Sequence, residues 1–236
     1  MSVAKIVRDF VDNIDAGVLF SYDDIPTDRT SVAAIELSRL GKQGKLKRIG
    51  RGKYYKPLKG YFGELPVSDA EVLRAFTAPE GSYITGLKAF NEMGLTTQVP
   101  RTIAIATDKQ PRKIRIKNLE IQFVPIRQKV PKNDVHLIQI LDALESLRKI
   151  PGSTPDDVVN YVRRYVRGLS TQKAARLGRY ASKYRPRTRA VAGAILEAEG
   201  YGQFTEELRT SLNPLSSYRA GVSDTVLPNQ KSWQIR

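Results

Sequence analysis

From position 39 to position 59 the chain carries nine lysine or arginine side chains and not one aspartate or glutamate. A run of like charge cannot be packed into an interior, so the local fold has to spread these cations over a solvent-facing surface. A short helical pattern leads into the block, and two strand patterns joined by Gly50-Arg51-Gly52 close it. A cationic helix followed by a hairpin is the layout with which a winged helix-turn-helix grips DNA.

The elements of that unit, assigned to residues 1–60, follow from spacing. Val3, Ile6, Val7, Phe10 and Val11 fall on one face of a first helix. Residues 17–20 form a short apolar strand or turn. Ser21 then precedes Tyr22-Asp23-Asp24-Ile25, a polar cap with acids in the first turn of a second short helix that Pro26 stops. A third helix is expected to begin at Thr30 or Ser31 and to end between Gly41 and Gly44, because glycine takes the left-handed conformation of a helix C-cap.

On the third helix Val32, Ala33, Leu37 and Leu40 share the arc expected to face the core, while Ser31, Ile35, Ser38 and Lys42 recur on the opposite side. That second arc, with Thr30 at its start and Arg39 on its border, suits a DNA groove. Its hydroxyls match base edges or phosphates, Ile35 matches thymine methyl groups, and Lys42 supplies a cation. Strands at 45–49 and 53–56 flank a turn whose glycines permit positive φ. Arg51 is expected at the tip, probing a minor groove or a phosphate, with Arg48 and Lys53 as further cationic contacts.

Composition agrees with a polyanionic partner. The net charge of +15 and an isoelectric point near 10 favour nucleic acid, since neutralising phosphates releases condensed counterions. Cysteine is absent, which excludes a disulfide framework, a thiolate zinc site and a cysteine nucleophile, and fits a reducing cytoplasm. Asp9, Asp12 and Asp15 interrupt the stretch where a signal peptide would be apolar, and no later run approaches a membrane span, so no membrane partner is expected.

After a hinge expected around residues 60–66, residues 61–236 form a second domain. Its first part, 61–130, reads as mixed α/β. A helix from Ser68 carries Ala70, Val72, Leu73 and Phe76, and residues 81–85 lead into a helix bearing Leu87, Phe90 and Met93. Residues 102–107 form a buried strand, and 113–117 with 119–124 form a hairpin across Lys117-Asn118. The second part, 131–236, is largely helical, with amphipathic segments at 134–148, 155–167, 171–184 and 187–199 and a loop-rich tail ending in Trp233. The fold class is therefore α+β, an N-terminal winged helix-turn-helix followed by a mixed α/β and largely helical C-terminal domain.

Residues 158–196 form a second acid-free stretch with ten basic side chains. Arg163, Arg164 and Arg167, then Lys173, Arg176, Arg179 and Lys183, line one side of their helices, with Ala174, Leu177, Ala181 and Tyr184 on the other. This second basic surface suits a nucleic-acid or acidic-protein contact, or simply solvent.

Signals for catalysis, metals and cofactors are poor. His136 is the one histidine and has no serine nucleophile-elbow context. Residues 40–45 lack the spacing and Ser/Thr of a phosphate loop and read as a helix end. Gly152-Ser153 with Asp156 and Asp157 is better explained by Thr154 capping a helix with Asp157 three residues on. The one enzyme alternative is a divalent-metal nuclease collecting Asp108, Glu120 and Gln122. No catalytic residue, metal ligand or cofactor is otherwise assigned.

Residues 32–40, Gly44-Lys45-Leu46 and Arg51-Gly52-Lys53-Tyr54 resemble the winged helix of the AbiEi-type antitoxins and their uncharacterised cousins. Residues 83–91, the Gly94-Leu95-Thr96-Thr97-Gln98-Val99-Pro100 stretch, Leu212-Asn213-Pro214-Leu215 and Trp233 are similar to the later segments of that family. The resemblance covers most of the chain. It implies a bacterial type IV antitoxin that represses its own promoter by binding inverted repeats there. The C-terminal domain would counter a nucleotidyltransferase-like toxin without forming a stable complex. A DNA-binding regulator or architectural protein with no toxin partner is the competing expectation.

Overall fold

The computed structural model describes residues 2–50, 52–61, 63–65, 67–116 and 118–236. They divide into two compact units, residues 1–79 with 115–119, and residues 80–114 with 120–236. Mixed helix and sheet occur in both.

In the first unit, helix α1 (Val3–Asn13) is capped by Ser2, whose hydroxyl accepts from Lys5 N at 3.3 Å. Strand β1 (Leu19–Ser21) runs into a single 3₁₀ turn at Tyr22–Asp24, closed by reciprocal bonds between Ser21 and Asp24. Helix α2 (Thr30–Lys42) follows, then strands β2 (Lys47–Gly50) and β3 (Lys53–Tyr55). β3 lies between β1 and β2, with Leu19 opposite Tyr55 and Arg48 opposite Tyr54. Val7, Val11, Phe20, Ile25, Ala33, Leu37, Leu40, Leu46 and Tyr54 form one core, so α1 and α2 cover the sheet with their apolar arcs.

Two expectations are corrected in this unit. Val32 is 41% exposed, whereas Glu36 is buried. At 100° per residue, Glu36 stands between Leu40 and Val32 on the helix circumference, and the carboxylate occupies the edge of the core arc assigned to valine. The stretch expected to be a hinge is a second hairpin, β4 (Leu58–Gly60) with β5 (Gly63–Leu65), which pairs Leu58 with Leu65. The first unit extends to Pro79 because helix α3 (Asp69–Thr77), capped by Ser68, packs beside β1 and buries Val72, Leu73 and Phe76, while Ala70 stays exposed.

The second unit opens with strand β6 (Tyr83–Thr85), helix α4 (Leu87–Glu92) and strand β7 (Thr102–Thr107). Strands β8 (Arg112–Ile116) and β9 (Leu119–Pro125) complete a sheet of order β6-β7-β9-β8. β7 and β9 are parallel, Thr102 facing Glu120 and Thr107 facing Pro125, a pairing that strand patterns alone did not disclose. Helices α5 (Val135–Glu145), α6 (Pro155–Arg167), α7 (Thr171–Ala181) and α8 (Pro186–Ala198) come next, with short α9 (Glu206–Thr210). α8 is the central helix. It touches α5, α6, α7 and α9, and its small residues Ala190, Ala192, Gly193 and Ala194 are buried, allowing close approach on several faces.

The loop-rich tail is part of this core. Trp233 is fully buried, a Cβ at Gly193 would stand 2.3 Å from its ring carbons, and the indole N–H donates to Glu197 Oε2 at 2.7 Å. The Arg209 guanidinium lies over the ring, 4.2 Å from its centre. Trp233→Ala should cost about 3–5 kcal/mol, the loss of an enclosed aromatic side chain, read as a fall in the urea midpoint at unchanged slope. A change under ~1 kcal/mol would contradict this packing.

Candidate nucleic-acid interface

The outward face of α2 is built by what its inward face consumes. Ala33, Leu37 and Leu40 fix the helix on the core, which leaves Thr30, Ser31, Ile35, Ser38, Arg39 and Lys42 exposed along the other side. Ile35 is 70% exposed, an apolar group held in water. The one acid of the helix, Glu36, turns inward and meets Arg8 of α1, Nε to Oε1 3.3 Å. That pair was not anticipated. Its signal was available, since Glu36 lies three residues after Ala33 and four before Leu40 on the core side. The exposed arc thereby carries hydroxyls, one apolar group and cations but no carboxylate. No side chain caps the first turn of α2 and no acid sits in it, so its amide N–H groups add a positive pole at Thr30 and Ser31.

The helix stops as expected at the glycines. Gly44 has φ +74° and Lys45 N donates to Leu40 O at 3.0 Å, a left-handed C-cap. The chain then enters the hairpin, whose register shifts between Arg48 and Gly50. Arg48 is exposed and its Nε donates to Gly50 O at 3.1 Å. Arg51, expected at the tip, lies outside the described residues. Gly52 has φ +71°, and a Cβ there would stand 2.8 Å from the Tyr22 ring. Tyr22 in turn shares a hydroxyl contact of 3.4 Å with Tyr54, whose acidity burial, reinforced by that hydrogen bond, shifts to about 12.

Other cations of the 39–59 block are spent inside the unit. Lys53, expected to contact DNA, is half-buried: its ammonium donates to Ala75 O at 3.1 Å and stands 4.9 Å from the Phe76 ring centre. It anchors the hairpin to α3. Lys56 donates to Asp12 O and Ile14 O at the end of α1. Lys47 pairs with Glu64 at 2.6 Å, and its hydrogen bond to that carboxylate raises its pKa. Arg39, Lys42, Lys45, Arg48 and Lys59 remain on the surface.

The second basic surface is partly absorbed in the same way. Arg163 and Arg167 both bind Glu199, at 2.6 and 2.8 Å, and Arg163 also donates to Val226 O. Burial alone would raise the Glu199 carboxyl, but the bonds from Arg167 and Arg163 outweigh it and hold it below the usual range. Arg176 pairs with buried Asp134 at 3.0 Å. Lys173 is half-buried, and Arg164, Arg179 and Lys183 are exposed. The arginines counted as one face therefore serve two purposes, and those bound to buried acids are structural.

The chain belongs to the DUF6088 family, a family of unknown function. The family match spans residues 6–171, from α1 to the start of α7. A crystal structure of the RV2827C protein from Mycobacterium tuberculosis aligns with a TM-score of 0.46 and 14% identity, covering 99% of this chain and 90% of that one. No curated protein matches. In this DUF6088 protein the metal-nuclease set does not assemble. Glu120 faces Thr102 at the start of β7, with Thr102 Oγ1 donating to it at 2.7 Å, while Asp108 follows the far end of the strand and pairs with Lys129 at 2.8 Å. Six strand residues separate the two carboxylates, about 20 Å. Gln122 faces Ala104 between them. Among the described residues no group of three or more His, Cys, Asp or Glu could hold a metal ion, and no helix is long and apolar enough to cross a membrane. His136 packs against the Tyr165 ring at 4.7 Å, and Thr154 with Asp157 forms the expected capping box.

Gly52→Ala should destabilise the first unit by about 1–2 kcal/mol from backbone conformation alone, with more from displacement of Tyr22. Thermal unfolding monitored at tyrosine reads this, and an unchanged midpoint would contradict the tight turn.

Proposed function

We propose that the first unit is a winged helix-turn-helix that binds duplex DNA, with α2 in the major groove and the β2–β3 hairpin as the wing, and that the chain represses transcription in the cytoplasm. The observation that carries this reading is the acid-free exposed arc of α2, cleared of its one carboxylate by the Arg8–Glu36 pair. An exposed isoleucine among serines and cations suits a groove lined by phosphates and thymine methyls. The order β1-β3-β2, with the helices preceding the hairpin, supplies the layout such a contact needs.

The resemblance to AbiEi-type antitoxins extends the proposal. The DNA would be inverted repeats in the chain's own promoter, and residues 61–236 would counter a nucleotidyltransferase-like toxin without a stable complex. A repressor with no toxin partner is the alternative, and growth rescue on co-expression with the neighbouring gene separates the two.

The DNA contact is tested by gel shift of the full chain on the region upstream of its own gene, against competitor DNA. Ile35→Asp puts a carboxylate among phosphates and should weaken specific binding by at least about tenfold, and Lys42→Ala should weaken binding to all duplexes. Lys53→Ala should leave the salt dependence of binding unaltered, because its ammonium is engaged with α3. Equal binding by the parent and Ile35→Asp would overturn the proposed orientation of α2.

A further inference from the structure

The second unit contains a cleft of about 650 Å³ between its sheet and its helices, distinct from the α2 face. Its floor is apolar: Phe90 from α4, Ala104 and Ala106 from β7, and Val124 and Ile126 from β9 and the turn after it. Its mouth is cationic. Arg127 and Lys183 line it, and an adjoining hollow that shares Arg127, Glu145 and Ser146 adds Lys149, Arg185 and Arg187.

The two carboxylates in this region are already committed to the walls. Asp142 accepts Thr85 Oγ1 at 2.6 Å and Tyr83 at 3.3 Å on one oxygen, and Tyr184 at 2.7 Å on the other. Glu145 takes Arg127 and Arg185, both at 3.2 Å, on Oε1 and the Thr188 hydroxyl at 2.5 Å on Oε2. Arg127 is further fixed by stacking on Tyr184, 4.6 Å from the ring centre. Five cations against two engaged acids leave the mouth positive. Buried acids with shared hydroxyl donors hold the cation-bearing elements rigid, as a preformed site requires.

Small residues keep the floor open. Gly86 lines the cleft with φ +67° and ψ −151°, a conformation open essentially to glycine alone, and faces Ala104. A larger residue at either place would fill the space.

We infer that this cleft binds a nucleoside phosphate, its base lying on the apolar floor between β7 and β9 and its phosphates meeting Arg127, Lys183 and Lys149 at the mouth. The volume is that of a small-molecule site, and the pairing of an apolar slot with a cationic rim matches a ligand that is planar at one end and polyanionic at the other. A bare phosphate would leave the floor unused, and a nucleoside would leave the rim unused.

Calorimetric titration of the full chain with ATP, GTP, adenosine and pyrophosphate tests this. At least one nucleotide should bind at a single site, and more tightly than either adenosine or pyrophosphate. Lys183→Glu should weaken it by about tenfold or more, the loss of a charge-assisted phosphate contact, and Ala104→Leu should abolish it. Lys42→Glu, on the α2 face, should leave it unchanged. If Ala104→Leu unfolds without ligand at a lower temperature than the parent, the surface variant Lys183→Glu decides. Failure of both nucleotides to bind, equal affinity in the parent and Lys183→Glu, or loss of binding in Lys42→Glu would each overturn the assignment.

Discussion

A chain with 39 basic and 24 acidic side chains can remain folded only if its cations are either dispersed or neutralised, and here four of the acids are placed where they neutralise from within. Glu36 holds Arg8, Glu199 holds Arg163 and Arg167, Glu145 holds Arg127 and Arg185, and Asp134 holds Arg176. An unpaired buried carboxylate costs about 3–5 kcal/mol, whereas an exposed ion pair contributes about 0–1, so these inward acids matter far more than surface pairs would. Turning these four acids inward leaves the surfaces beside them without their negative charge. The positive face of α2 and the positive mouth of the second-unit cleft are two consequences of that one arrangement.

Where apolar spacing alone decides, the sequence was legible. The strand at 102–107 and the helix at 155–167 with Thr154 and Asp157 at its start have unbroken periodicity and local end signals, and the bounds of α2 were readable although Glu36 interrupts its apolar arc. Side-chain partners were harder to read because they lie far along the chain. Lys53 reads as a wing cation until Ala75 and Phe76 are brought beside it, and Arg163 as a surface charge until Glu199 arrives from the end of α8. The burial of Trp233 depends on Gly193, forty positions earlier, and nothing near the tail announces it.

The cleft was illegible for the same reason. Thr85, Ala104, Arg127, Asp142 and Lys183 belong to separate segments, and no local spacing brings them together. The parallel pairing of β7 and β9, across which its floor is laid, has no short-range signal either. By contrast the α2 face lies within a dozen consecutive residues, so its exposed members could be named from spacing. Only the inward turn of Glu36, which gives that face its sign, needed the tertiary contact.

The proposed DNA contact rests on exposed cations of α2 and its hairpin meeting phosphates. Its most direct test is the affinity of the full chain for the duplex upstream of its own gene, followed by fluorescence anisotropy from low to high salt. Four phosphate contacts, from Arg39, Lys42, Lys45 and Arg48, require log affinity to fall linearly with log salt at a slope of about −3 to −4. A salt-independent affinity, or no binding to the duplex in dilute buffer, would contradict the claim.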